Sequence, residues 1–305
     1  MNLSITKKTT MPGDTVQDIP ALLPLAVRER LARGRRLTTL TAGECRIVWH
    51  VWSPDPVAPA RAPVVVLHGG SGSWTHWVKN ILPLLDAGHQ VLAADLPGFG
   101  DSDPPATGFD ADAMVEPLAA SLRALPLAGP VDLVGFSFGG LTAGLLLAAH
   151  PDLARRLVLV GAPAMGVVPK RQFQLKGWRH LPTPQERTDI HRHNLGVLML
   201  HDHDLIDGLA LEVHIANVQR DRLPRRRLAN TDILARSLPR VRCPVHAIYG
   251  AHDVLYRQYI HQLEDAYAAA APDFRGLRLI EGAGHWVQFE APQAFDAALR
   301  WALEN

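Results

Sequence analysis

Six short runs of apolar residues recur along the chain: Val64 to Leu67, Val91 to Ala94, Val131 to Val134, Leu157 to Val160, Val245 to Tyr249 and Leu277 to Ile280. Most are continuous rather than alternating, as strands covered on both faces require, so they predict a mostly parallel sheet. Helical spacing fills the gaps at Trp74 to Asp86, Ala111 to Leu125, Leu141 to Ala149, Tyr256 to Ala271 and Pro292 to Glu304. A right-handed, doubly wound α/β arrangement satisfies that alternation. Ahead of it, Leu22 to Arg33 reads as a short helix, and Arg36 to Leu40 and Arg46 to Trp52 read as a hairpin around Thr41-Ala42-Gly43-Glu44. The alternation fails once, between Gly161 and Pro239, where helical stretches such as Pro184 to Met199 and Leu205 to Arg220 stand without a strand. The pattern therefore predicts a tail and short helix over 1–35, an α/β core over 36–163 and 239–305, and an inserted helical lid over 164–238.

Composition narrows the class. A chain of 305 residues, 47% hydrophobic, can bury a large core. Its 31 Lys and Arg offset 30 Asp and Glu, so no overall field draws it to nucleic acid or anionic membrane, and a small-molecule substrate is expected. Cys45 and Cys243 fall in no metal or redox spacing, which suits reduced thiols in a cytoplasmic protein. The polar stretch Met1 to Pro20, with Lys7-Lys8, lacks the apolar centre of an export signal, and no run of about 18 apolar residues follows.

Gly135-Phe136-Ser137-Phe138-Gly139-Gly140 joins the Val131 strand to the Leu141 helix. A serine with glycines two residues before and after it, on a sharp strand-to-helix turn, has the form of a nucleophile elbow. Small neighbours leave room for the strained turn, and the hydroxyl stands at a helix N-terminus that favours developing negative charge. Ser137 is the candidate nucleophile, although small residues also surround serines in ordinary turns. His285, in the glycine-flanked loop Gly282-Ala283-Gly284-His285-Trp286 after the last strand, is the candidate base. Asp253, in Gly250-Ala251-His252-Asp253 after the Val245 strand, is the candidate acceptor that fixes the imidazole's tautomer. A loop histidine is often a surface residue and a post-strand aspartate often a helix cap, but the order serine, acid, histidine at three strand ends fits a catalytic triad. Leu67-His68-Gly69-Gly70-Ser71-Gly72-Ser73 supplies a glycine-rich turn, so the backbone N–H groups of Gly70 and Phe138 are the candidate oxyanion hole, with His68 as a buttress. No Lys-Ser/Thr follows those glycines, which argues against a phosphate-cradling loop.

From about Thr38 onward these residues resemble the α/β-hydrolase family, as does the loop Asp95-Leu96-Pro97-Gly98-Phe99-Gly100-Asp101-Ser102. The resemblance implies an activity other than haloalkane dehalogenation or epoxide hydrolysis, because those relatives carry aspartate where Ser137 stands. Gly284-His285-Trp286-Val287-Gln288-Phe289-Glu290 and His193-Asn194-Leu195-Gly196-Val197-Leu198-Met199-Leu200-His201-Asp202 are similar to segments of meta-cleavage-product hydrolases, which split a carbon–carbon bond in aromatic ring-fission products. Two positions depart from that group. Ser71-Gly72-Ser73 replaces its usual Gly-Pro-Gly, and the lid arginine that holds a substrate carboxylate aligns with His214, a poorer and pH-dependent partner.

The expectation is a cofactor-free serine hydrolase that cleaves a small-molecule ester through an acyl-enzyme. Carbon–carbon cleavage by the same residues and a ligand-binding receptor with little turnover are the alternatives. His214, Trp286 and Met199 are candidate substrate contacts, with Phe173, Trp178 and Leu198 as further lid residues able to line a pocket. No metal is expected: His191, His193, His201 and His203 in the lid are spaced so that helical neighbours point apart. Arg220-Asp221-Arg222-Leu223-Pro224-Arg225-Arg226-Arg227 reads as a solvated basic turn, with attraction of a substrate carboxylate or phosphate as its second reading.

Overall fold

In the computed structural model, residues 15–41, 45–55, 61–168, 173–206, 208–223 and 225–305 are described. The polar N-terminal stretch to residue 14 and most of the hairpin turn at 41–44 lie outside them. Along the chain come α1 (Leu25–Leu31), β1 (Arg35–Leu40), β2 (Arg46–Trp52), β3 (Val64–Leu67), α2 (Ile81–Asp86), β4 (Val91–Ala94), α3 (Val115–Ala124), β5 (Val131–Phe136), α4 (Phe138–Ala149) and β6 (Ala154–Val160). Then follow α5 (Pro184–Asn194), α6 (Leu209–Gln219), α7 (Ile233–Ser237), β7 (Val245–Gly250), α8 (Leu263–Ala270), β8 (Phe274–Ile280), α9 (Val287–Glu290) and α10 (Pro292–Glu304). The eight strands form one sheet in the order β1-β2-β4-β3-β5-β6-β7-β8. β2 pairs antiparallel with β1 on one side and with β4 on the other, and the remaining pairs are parallel.

The unbroken apolar runs serve two cores. Val65, Leu67, Leu133, Leu157, Leu159, Ala247 and Tyr249 pack on one face of the sheet, while Val64, Val66, Val134, Phe136, Val158, Val160 and Ile248 pack on the other. Alternate residues of each strand thus need apolar partners on opposite sides, which is why alternation disappears from the sequence.

Several helices are shorter than their apolar spacing predicts. Trp74 to Asp86 divides into a 3-10 turn at Trp74–Trp77 and α2. Pro83 then falls in the first turn of α2, where its missing N–H breaks no helical bond; a helix continuous from Trp74 would need that donor. Ala111 to Leu125 and Tyr256 to Ala271 likewise begin as 3-10 turns, at Ala111–Met114 and Arg257–Gln262. Pro184 to Met199 is α5, closed by a capping box from Thr183 and Glu186, followed by a π-helical turn at Leu195–Met199. Leu205 to Arg220 begins as a helix only at Leu209, after Gly208 with φ +62°. Among the described residues, none between β6 and β7 is in a strand. No helix of the described residues is long and apolar enough to cross a membrane.

Candidate active site

Ser137 stands between β5 and α4 with φ 50° and ψ −117°, a left-handed conformation that a non-glycine residue adopts at a cost. The turn around it holds the strain. Its N–H donates to Val160 O at 2.7 Å, and its carbonyl accepts the N–H groups of Gly140 and Leu141 at 2.9 and 3.0 Å. A Cβ on Gly135 would lie 2.5 Å from Gly139 O, and one on Gly139 would run into the carbonyls of His68 and Leu67. The glycines of the motif are thus required by close backbone approach.

Ser137 Oγ lies 2.8 Å from His285 Nε2, and His285 Nδ1 lies 2.8 Å from Asp253 Oδ2. Asp253 follows β7 and is fully buried; its Oδ1 accepts the Leu255 N–H at 2.9 Å, which fixes the carboxylate plane. The loop carrying His285 is held by Glu290, whose Oε2 accepts Gly284 N–H at 2.6 Å, and by Trp286, whose N–H donates to Met199 O at 2.7 Å. With Nδ1–H given to Asp253, Nε2 is free to accept a proton from Ser137, and the three residues can run acyl transfer.

Gly70 and Phe138 line the same cavity as Ser137, and among the described residues neither backbone N–H has an acceptor. The loop holding Gly70 rests on two buried histidines. His68 donates from Nδ1 to Gly69 O at 2.7 Å and accepts Leu96 N–H on Nε2 at 2.9 Å; burial pushes its pKa down to about 4, so it stays neutral. His76 Nδ1 accepts Gly69 N–H at 3.2 Å, and burial drives its pKa well below the usual histidine value. His68 therefore buttresses the loop by joining it to the Leu96 turn.

The cavity over Ser137 has a volume of about 820 Å³, with Met199, Phe173 and Leu198 among its walls. Trp178, Trp286 and His214 are not among the described lining residues. Trp286 is fully buried beneath the site, stacked on Phe289 and donating from Nε1 to His76 O at 3.1 Å. His214 packs edge-on against His191 with ring centroids 5.3 Å apart, and burial pushes its pKa down to about 3. An uncharged imidazole outside the cavity cannot hold a substrate carboxylate there, so its alignment with the family arginine does not carry the arginine's position.

Among the described residues, the Lys or Arg side chain that lines the cavity is Arg226. Its guanidinium passes over the rings of Phe99 and Phe138, with the central carbon 5.4 and 5.8 Å from their centroids, and bonds Asp221 Oδ2 at 2.7 Å and Ser71 Oγ at 3.0 Å. A Cβ on Gly70 would lie 3.5 Å from Arg226 Nε. The basic run is thus folded onto the loop holding Gly70 and Ser71 rather than solvated as a whole. The signal available in the sequence was Asp221, an acid inside a basic run. No group of three or more His, Cys, Asp or Glu able to hold a metal ion occurs among the described residues.

Residues 62–183 match the sequence profile of the alpha/beta hydrolase fold family. The 2-hydroxymuconate semialdehyde hydrolase of Pseudomonas sp. (strain CF600) is 29% identical over 255 residues, which cover 77% of this chain and 84% of that protein. The 2-hydroxy-6-oxo-2,4-heptadienoate hydrolase of Pseudomonas putida is 39% identical over 107 residues, 34% of this chain and 38% of that protein. Among solved structures, an esterase from Rhodococcus sp. ECU1013 superposes with a TM-score of 0.70 at 23% identity, covering 88% of this chain and 98% of that one.

Proposed function

Because this chain is an enzyme of the α/β-hydrolase fold, we propose that it is a cofactor-free serine hydrolase that cleaves a small-molecule ester through an acyl-enzyme. Ser137 attacks the ester carbonyl while His285 Nε2 takes its proton, and Asp253 stabilises the imidazolium through Nδ1–H. The N–H groups of Gly70 and Phe138 receive the developing oxyanion. The tetrahedral intermediate collapses as His285 protonates the leaving oxygen; water, deprotonated by the same imidazole, then releases the acid. Residues 164–238 act as a helical lid that closes over Ser137 and excludes bulk water. The observation that carries the proposal is the continuous chain of two 2.8 Å contacts from Ser137 Oγ through His285 to a buried Asp253. Labelling with a fluorophosphonate probe, followed by peptide mapping, tests it: the label is expected on Ser137, and an unlabelled protein would favour a ligand-binding receptor.

A second reading, hydrolysis of a carbon–carbon bond in a dienoate ring-fission product, is favoured by Arg226 in the cavity and by the activity named for the Pseudomonas relative. The cation would receive the dienoate carboxylate, and the same triad would act on the ketonised substrate. A panel of aryl esters and dienoate ring-fission products assayed side by side separates the two.

A further inference from the structure

His285 lines a second cavity on the far side of Leu198, and the other polar side chains in it are not used by the chemistry above. It occupies about 510 Å³ between the π-helical turn Leu195–Met199 with its following loop and the loop after β7. His201, His203, His252 and Arg257 face it, and no Asp or Glu is among its described lining residues. The buried or half-buried carboxylates nearest it, Glu290 and Asp253, are bonded elsewhere, and Asp202 spends one oxygen on the backbone. Glu290 accepts the backbone N–H groups of His201 and Asp202 on Oε1 and of Gly284 on Oε2, Asp202 accepts Asp204 N–H, and Asp253 serves His285 and Leu255. Among the described residues, the ring nitrogens of His201, His203 and His252 and the guanidinium of Arg257 have no hydrogen-bond partner.

Two details make this more than a solvated basic edge. His201 and His252 stack face to face, with centroids 3.8 Å apart and planes within 6°. Parallel rings keep their in-plane lone pairs in two separate planes, which does not suit one shared metal ion, whereas ring N–H groups in two stacked planes suit the spread oxygens of an anion. Arg257 has φ 40°, its backbone N–H is bonded to Asp253 O at 2.9 Å, and it lines the same cavity as His285.

We propose that this cavity is a second binding site, distinct from the Ser137 pocket, for a small organic molecule carrying an oxyanion group, a phosphate or a carboxylate. The anion is held by Arg257 and the stacked imidazoles. Its organic part lies on Val197, Leu198 and Val254, because the volume far exceeds that of a bare oxyanion and falls within the range of small-molecule sites. The occupant rests against His285 and on the chain segment that holds Asp253.

Histidine side-chain NMR and calorimetry, with inorganic phosphate, phenyl phosphate and phenylacetate as probes, test this without turnover, so the outcome is independent of the proposed hydrolase activity. Saturable shifts of the His201, His203 and His252 rings are expected. Whichever of the phenyl ligands binds more tightly identifies the anion, and both should bind better than inorganic phosphate. Arg257→Gln and His252→Gln should each weaken binding about tenfold or more, whereas Arg226→Gln, in the other pocket, should change it less than twofold. Non-saturable shifts, equal loss in Arg226→Gln, or Zn²⁺ moving the same resonances at lower concentration than the anions would overturn the proposal. His203→Asn provides a second probe if Arg257→Gln does not fold.

Discussion

The floor and the roof of the Ser137 cavity are built by different physics. The floor consists of loops at the ends of parallel strands of one sheet, Gly70 after β3, Ser137 after the neighbouring β5 and His285 after the edge strand β8, so the hydrogen-bond ladders of the sheet set their positions. The roof, between β6 and β7, has no ladder among its described residues and is held by side chains: Leu195, Ala210, Val213, Leu223 and Leu234 pack into the two cores, and isolated polar contacts join it to the rest. Asn217 on α6 accepts Ser73 Oγ at 2.7 Å and donates to Thr75 Oγ1 at 3.0 Å; Asp221 accepts Ser71 Oγ at 2.5 Å; Asp110 accepts Leu228 N–H at 2.9 Å. A floor made this way tolerates changes that leave the backbone alone, whereas the roof depends on individual side chains. The floor should therefore lose chemistry without losing stability.

The largest effect is expected from Ser137→Ala. Alanine keeps the same strained backbone and removes only the hydroxyl, so kcat/KM should fall by about 10⁴ or more while Tm stays within about 2 °C. Steady-state kinetics with a thermal melt decide it, and retention of more than about 1% of activity would remove Ser137 from the chemistry.

The next largest effect tests the place where roof meets floor. Arg226→Met keeps the stem across Phe99 and Phe138 and removes the guanidinium from the cavity. If that cation reads substrate charge, kcat/KM for a carboxylate-bearing ester or dienoate should fall about 10- to 100-fold, the range for a charge-assisted hydrogen bond. A neutral ester of the same length should change less than about threefold. Equal losses on both would show that Arg226 acts by holding Ser71 and the loop that carries Gly70.

The same contrast explains what could be read from the sequence. The sheet, the strand order of the chemistry and the contacts among Ser137, His285 and Asp253 follow from local signals: apolar runs, glycine-flanked turns and chain order. The helix interruptions at Trp74, Ala111 and Arg257 were missed because apolar spacing is the same for a 3-10 turn packed on a core and for the α-helix that follows it. His214 was misplaced for a related reason: alignment fixes its position along α6 but not which way the helix face turns, and here it turns towards His191. Arg226 was legible only as one charge in a basic run, since its contacts with Ser71 and two phenyl rings join it to segments far earlier in the chain, up to 155 residues away.

Acid should loosen floor and roof alike, through histidines buried without charge. His68 in the floor, at about 4, and His214 in the roof, at about 3, both lie below the unfolded value of about 6.5, chiefly because burial disfavours the imidazolium. A depressed folded pKa means the unfolded chain binds more protons. The stability these rings contribute is therefore complete above about pH 6.5 and lost progressively as pH falls towards 4 for His68 and 3 for His214. A loss on the order of 2 kcal/mol for each is expected, read as a falling Tm between pH 6.5 and 4. His214→Phe should flatten that fall; an unchanged slope would show that His214 contributes none of the acid sensitivity.

The smallest effect concerns the support beneath the floor. Asn80 donates from Nδ2 to Asp296 Oδ1 at 2.9 Å and to Gln288 O at 3.2 Å, tying α10 to the segment that follows His285. Burial outweighs the hydrogen bond and raises the Asp296 carboxyl to about 6 from an ordinary value of 3.8. Here the sign is reversed: the folded chain holds the proton more tightly, so stability is lost as pH rises from about 3.8 to 6 and stays lost above. Asp296→Asn keeps an oxygen acceptor for Asn80 and never ionises. It should stabilise the protein by about 1 kcal/mol at pH 8, after allowance for solvent screening, or roughly 2 to 4 °C in Tm. At pH 4.5 the gain should be less than about half as large, and kcat/KM should not change at either pH. Paired melts of the two proteins at both pH values check it, and a gain that is absent at pH 8 or equal at the two would show that the ionised carboxylate costs the floor nothing.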